Sequence, residues 1–193
     1  MTGPELWLVR HGETEWSRDG RHTGRTDVPL TPAGEDAARS LRPRLAAVAF
    51  DLVLCSPLQR ATATATLAEV PTPELDDDAR EWDYGDYEGI TTARIHETDP
   101  QWSLWTDGTP GGEQPDDVGA RADRLVARVR STASTRALIV GHGHILRVVA
   151  ARWIGLAVAG AARLRLDTAT VSVLGWERAT AVITRWNTPG YDR

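Results

Sequence analysis

Apolar residues along this chain fall into two patterns. Three short runs are continuous: ELWLVR (5–10), DLVLCS (51–56) and ALIVGH (137–142). Runs of that length fit strands buried on both faces of a parallel sheet. The second pattern recurs every three or four residues, as at Val118, Ala122, Leu125, Val126 and Val129, and predicts an amphipathic helix over 116–131. Helical patterns follow each continuous run. Thr31 with Pro32 reads as an N-cap and first-turn proline, opening a helix over 32–48 that Pro43 kinks. Ser56 with Pro57 repeats the device for a helix over 57–69, and another helix is expected over 144–155. Near the end, TVSVLGWE (170–177) and TAVITRWN (180–187) predict a hairpin.

Strands alternating with helices predict an α/β fold, a three-layer sandwich whose mostly parallel sheet is flanked by helices and carries an antiparallel edge. Residues 84–119 break the rhythm with many Gly, Pro, Asp and Trp, and are expected to form an inserted lid over one end of the sheet. At 193 residues the chain is expected to be one domain, 1–193, with a substantial core.

Composition narrows the chemistry. The 22 basic residues are all arginine, which removes a P-loop lysine and any Schiff-base lysine. A net charge of −5 disfavours nucleic acid or an anionic membrane as partner, so any phosphate must be met by a local cluster of cations. Cys55 is the only cysteine, which excludes an internal disulfide and a cysteine zinc cage. No basic-then-apolar leader opens the chain and Arg152 interrupts its longest apolar stretch, so a cytoplasmic location is expected.

In an open α/β sheet, ligands bind beyond the carboxyl ends of the strands. His11 follows the first predicted strand, Arg60 lies in the first helical turn after the second, and His142 closes the third. Three residues far apart in sequence thus converge on one sheet edge. Arg10 offers a planar fork of donors for phosphoryl oxygens, His11 a ring nitrogen that can attack phosphorus, and Gly12 a close backbone approach. That set suggests phosphoryl transfer through a phosphohistidine, with Arg10 and Arg60 on the equatorial oxygens and a protonated His142 as a third donor. A carboxylic acid must then protonate the leaving oxygen; Glu81, Asp83, Asp86 and Glu88 are the candidates in REWDYGDYEG (80–89).

The ordered motifs RHGETEW (10–16), TGRTDVPLTPAG (23–34), CSPLQRA (55–61), EWDYGDYEG (81–89) and VGHGH (140–144) resemble the histidine phosphatase superfamily, which also contains cofactor-dependent phosphoglycerate mutases. The resemblance covers nearly the whole chain. It implies a metal-independent phosphatase without a cofactor. His11 would be the nucleophile, Arg10, Arg60 and His142 the phosphate pocket, and Glu81 the general acid and base. Ser17, His22, Thr23, Gly24 and Gly143 complete the implied phosphate-binding surface. Ser17 stands where many members have asparagine and Thr23 where many have glutamine, which bears on substrate preference. The segments TEWS, 22–27 and 102–108 are similar to sedoheptulose-1,7-bisphosphatase-like proteins and actinobacterial acid phosphatases.

The expected activity is hydrolysis of small phosphorylated metabolites, with sugar phosphates favoured and an optimum on the acid side of neutrality. A homodimer is allowed as its assembly. Phosphoglycerate mutase activity is the alternative, disfavoured because Arg94 is the one arginine between Glu81 and Gly119. A silent phosphate-binding protein is the third reading. His96 and His144 are read as structural or exposed. Trp7, Trp153, Trp176 and Trp186 are read as packing residues, while Trp82, Trp102 and Trp105 are candidates to line the cavity.

Overall fold

A computed structural model describes residues 3–133 and 135–190; the ends of the expected 1–193 span, residues 1–2 and 191–193, lie outside them. The chain opens with β1 (Glu5–Arg10), α1 (Glu15–Arg18), α2 (Pro32–Ser40) and α3 (Arg42–Ala46). Then come β2 (Leu52–Cys55), α4 (Gln59–Leu67), β3 (Glu74–Leu75), α5 (Thr92–His96) and α6 (Leu104–Asp107). The second half holds α7 (Pro115–Ser131), β4 (Arg136–Gly141), α8 (Gly143–Trp153), β5 (Thr170–Glu177) and β6 (Thr180–Pro189).

The strands form one sheet in the order β3-β2-β4-β1-β5-β6. β3, β2, β4 and β1 run parallel, while β5 is antiparallel to both β1 and β6, as the hairpin pattern predicted. Successive side chains on a strand face opposite sides. Leu6 and Leu8 of β1 therefore join a core with α7 and α8 residues such as Leu125, Val129, Val148 and Val149. Trp7 and Val9 join a second core with Leu41, Leu45, Ala61 and Ala65 on the other face. These two cores make the three layers. No helix among the described residues is long and apolar enough to cross a membrane.

Three boundaries differ from the sequence expectation. The helix expected over 32–48 splits at Leu41, because Pro43, in the first turn of α3, has no N–H to continue the ladder. The helix expected from 57 starts at Gln59, whose N–H donates to Asp27 Oδ1 at 2.9 Å. Ser56 is not its cap. The expected lid, 84–119, ends five residues sooner, since Pro115 to Gly119 already form the first turns of α7. It is also not a separate flap: Tyr84, Ile95, Trp102 and Leu104 are buried in the same core as Leu6 and Leu8. Truncating fully buried Trp82, two residues before this segment, would cost about 3–5 kcal/mol.

Candidate active site

β1, β2 and β4 end side by side: Arg10 pairs with Gly141, and Cys55 with Val140. The ladder continues one step further, with His11 N donating to Gly141 O and Ser56 N to Val140 O, each at 3.0 Å. The chain then turns against the start of α2. A Cβ on Gly12 would stand 2.3 Å from Gly34 O, so only glycine permits this approach. Gly12 N donates to Thr64 Oγ1 at 3.0 Å, fixing the turn to α4.

His11 is buried, and its Nδ1 donates to Gly12 O at 2.6 Å. That bond leaves Nε2 with a free lone pair. Burial, then the charges of Arg60 and Arg10, hold the ring well below the usual imidazole range. Arg10 donates from Nη1 to Leu166 O at 2.5 Å, but its buried Nε has no partner. No carboxylate lies within ion-pair distance of Arg10 among the described residues. Gly143 lies against its guanidinium, where a Cβ would come within 3.2 Å of Cζ.

Arg60 is fully buried and largely spoken for. Its Nε donates to His142 Nδ1 at 3.0 Å, Nη1 to Thr26 O at 2.9 Å, and Nη2 to both Thr23 O and Gly24 O at 3.0 Å. One N–H of its five remains. His142 departs from expectation. Because Nδ1 accepts from Arg60, the ring's proton sits on Nε2, which donates to Ser56 Oγ at 2.7 Å. Burial and then Arg60 hold its pKa well below the ordinary value. A protonated His142 would set Nδ1–H against Nε–H, so the expected third donor is instead a neutral strut linking Arg60 to Ser56.

Arg10 and His11 open into a cavity of about 210 Å3, also lined by Glu81, Tyr84, His144 and Arg147. Arg60 and His142 stand outside that lining. Glu81 caps the start of α8: Oε1 accepts from the N–H of Trp82 at 3.0 Å, His144 at 3.2 Å and Ile145 at 2.9 Å. Oε2 accepts only from His144 N at 2.9 Å and is the oxygen free to carry a proton. Glu88 is a loop anchor, accepting from Gly24 N and Thr26 N, while Asp83 accepts from Gly85 N at 3.1 Å. Asp86 is not among the residues lining the cavity.

The expected rim is brought together in part. Ser17, His22, Thr23 and Gly143 line the cavity, but Gly24 does not. The Ser17 hydroxyl turns back to donate to Thr14 O at 3.0 Å and accept from Thr14 N at 2.9 Å, closing the first turn of α1. His22 stacks on Tyr84 with ring centroids 4.7 Å apart, and burial pushes its pKa down to about 4.

Sequence reasoning missed Tyr84, His144, Arg147 and Arg21. Burial raises the Tyr84 pKa well above the ordinary value, so its OH donates to His144 Nδ1 at 2.5 Å. His144 is therefore neither exposed nor a structural bystander. Arg147 stacks on Trp105, with its guanidinium 4.2 Å from the ring centroid, and donates to Ala161 O and Ala162 O. Its spacing of three from His144 places both on one face of α8, which was the available signal. Trp102 and Trp105 line a neighbouring hollow of about 200 Å3 that shares His22, Thr92 and His144 with the first. Trp82 is fully buried and donates to Glu113 O at 3.0 Å, which removes it from the cavity wall. Among the described residues, no group of three or more His, Cys, Asp or Glu is arranged to hold a metal.

A family model described as histidine phosphatase superfamily (branch 1) matches residues 6–189. An acid phosphatase of Mycobacterium tuberculosis is 43% identical over 175 residues, spanning 89% of this chain and 86% of that protein. A sedoheptulose 1,7-bisphosphatase of Saccharomyces cerevisiae is 35% identical over 187 residues, spanning 80% of this chain and 69% of its own length. A solved structure of a Mycobacterium tuberculosis open reading frame product superposes with a TM-score of 0.94 at 40% identity, covering 97% of this chain and 99% of that one.

Proposed function

Since this chain belongs to the histidine phosphatase superfamily, whose relatives here are named phosphatases, we propose that it hydrolyses small phosphate monoesters through a phosphohistidine on His11. The carrying observation is the pair at the end of β1. Arg10 holds a buried, unpartnered Nε and no carboxylate, beside a histidine whose Nε2 lone pair is free. A half-buried cation without a counter-ion is an anion site waiting for its anion.

In this reading the ester phosphate lies against Arg10, with the charge of buried Arg60 behind the cavity lining. His11 Nε2 attacks phosphorus as the ester P–O bond breaks, and Glu81 Oε2 gives its proton to the leaving oxygen. Glu81 then takes a proton from water as that water attacks phosphorus and the P–N bond breaks, releasing phosphate and returning the lone pair to His11. The depressed pKa of His11 keeps its lone pair available below neutrality. Arg21 and Arg147 on the same cavity support substrates with anionic or hydroxyl-rich distal groups, sugar phosphates among them. Arg94, the one arginine of the inserted segment, pairs with Glu97 at the surface, which weighs against a mutase site for a substrate carboxylate.

The test is hydrolysis of p-nitrophenyl phosphate from pH 4 to 9, with and without EDTA. We expect activity that survives EDTA, peaks below neutrality and falls at least about a thousandfold in His11→Ala. Wild-type activity in that variant would overturn the reading. Interconversion of monophosphoglycerates outpacing phosphate release would favour the mutase.

A further inference from the structure

Behind Glu81 lies a second hollow of about 140 Å3 that takes no part in the chemistry above. Its cations are already matched: Arg25 with Asp83 at 2.7 Å, Arg80 with Asp77 at 2.6 Å and Arg121 with Glu113 at 2.7 Å. It therefore offers an anion nothing. One of those pairs, however, grips the chain that carries Glu81.

Residues 80–84 form neither helix nor strand, so no regular ladder fixes where the Glu81 side chain points. Arg121 supplies the missing support. Its Nη1 donates to Asp78 O at 2.7 Å and Arg80 O at 3.0 Å, and its Nη2 to Glu81 O at 3.4 Å. Nε and Nη2 meet Glu113 Oε1 and Oε2, both at 2.7 Å. All five guanidinium N–H groups are thereby used. Glu113 holds the far side, with Oε2 accepting from Asp83 N at 2.9 Å, its N–H donating to Asp83 O at 2.9 Å, and its carbonyl accepting from Trp82 Nε1. Arg121 itself is rooted in α7, whose Val118, Ala122 and Leu125 are packed in the core.

The two side chains are 13% and 21% exposed. An ion pair so far from water yields little net stability, which leaves its geometry as the thing gained. We propose that Arg121 and Glu113 are positioning residues that set the reach of the Glu81 carboxyl group toward the leaving oxygen and the attacking water. The proposal rests on the acid–base reading of Glu81. Lysine keeps the charge at 121 but loses the planar fork, so it cannot bind three carbonyls and a carboxylate together.

The experiment compares Arg121→Lys, Glu113→Gln and Glu81→Gln in the whole chain. Each is assayed on p-nitrophenyl phosphate, whose leaving group needs little protonation, and on glycerol 2-phosphate, whose leaving group needs it. We expect kcat on the alkyl ester to fall about 10- to 100-fold in Arg121→Lys with KM little changed. The first turnover on the aryl ester survives as a burst of p-nitrophenolate, and acid-labile phosphoenzyme accumulates because the water step has slowed. Glu113→Gln shows the same pattern more weakly and decides the matter if Arg121→Lys does not fold. Equal losses on both esters without a burst, or wild-type kcat in both variants, would overturn the proposal while Glu81→Gln still shows the pattern. Wild-type turnover in Glu81→Gln would instead overturn the acid–base reading and the proposal with it.

Discussion

The floor of the cavity includes the layer beneath it: His11 lines the cavity after β1, while His142 after β4 and Arg60 in the first turn of α4 lie behind that lining. On the wall, Glu81 and Tyr84 stand in irregular chain, held by α7, α8 and the inserted segment. The floor is fixed by hydrogen bonds that its own candidate residues make: Arg60 to His142, His142 to Ser56, His11 to Gly12. The wall is fixed by backbone groups and side chains that react with nothing, such as the N–H of Ile145 and the Arg121 fork. Damage to the floor should therefore strike stability and turnover together, whereas damage to the wall should separate them.

The largest expected effect is on the floor. Arg60→Ala strips the donors from the buried Gly24 carbonyl, the part-buried Thr23 and Thr26 carbonyls and buried His142 Nδ1, so urea unfolding should show a loss of about 3 kcal/mol. Turnover should collapse with it. A stable but inactive variant would mean that the floor is not self-supporting, and would break the contrast.

Acid should act next. Burial takes His22 from 6.5 down to about 4, so between those values the unfolded chain binds a proton that the folded chain does not. Stability is thus intact above about pH 6.5 and declines as pH falls, by about 3 kcal/mol near pH 4 from this residue. His11, His142 and His144, all depressed by burial, push in the same direction. Denaturant midpoints between pH 7.5 and 4.5 check the sign, and His22→Gln should flatten part of the slope.

The smallest effect belongs to the outer wall. Arg147→Ala removes a cation stacked on Trp105, and should raise KM several-fold for esters bearing a second anion while leaving p-nitrophenyl phosphate almost unchanged. Stability should move by less than about 1 kcal/mol. Equal KM values for both kinds of ester would remove Arg147 from the site.

The same division explains what could be read in the sequence. Apolar runs set β1, β2 and β4, and each candidate floor residue lies within a few positions of a strand end, so the convergence of Arg10, His11, Arg60 and His142 was legible. The state of His142 was not, because it depends on which nitrogen faces Arg60, 82 positions away. Ser56 looked like a helix cap because Pro57 follows it; its hydroxyl instead serves His142, and Asp27 from a distant loop takes over the capping. His144 was unreadable for the same reason, since its partner Tyr84 lies 60 positions back. The inserted segment looked like a flap because Gly and Pro dominate its turns, yet its sparse apolar residues are those that anchor it.

Five of the histidine and arginine side chains that line the cavity share out charge in a simple way. His11, His22 and His144 are all uncharged at ordinary pH, whereas Arg10 and Arg147, the latter brought down to about 10 by burial, stay cationic throughout. The charge that these five side chains present to a ligand is therefore constant over the range in which most proteins change theirs. Between pH 5 and 8 any tightening of their hold would be written by the ester itself, as its second ionisation at about 6 turns a monoanion into a dianion.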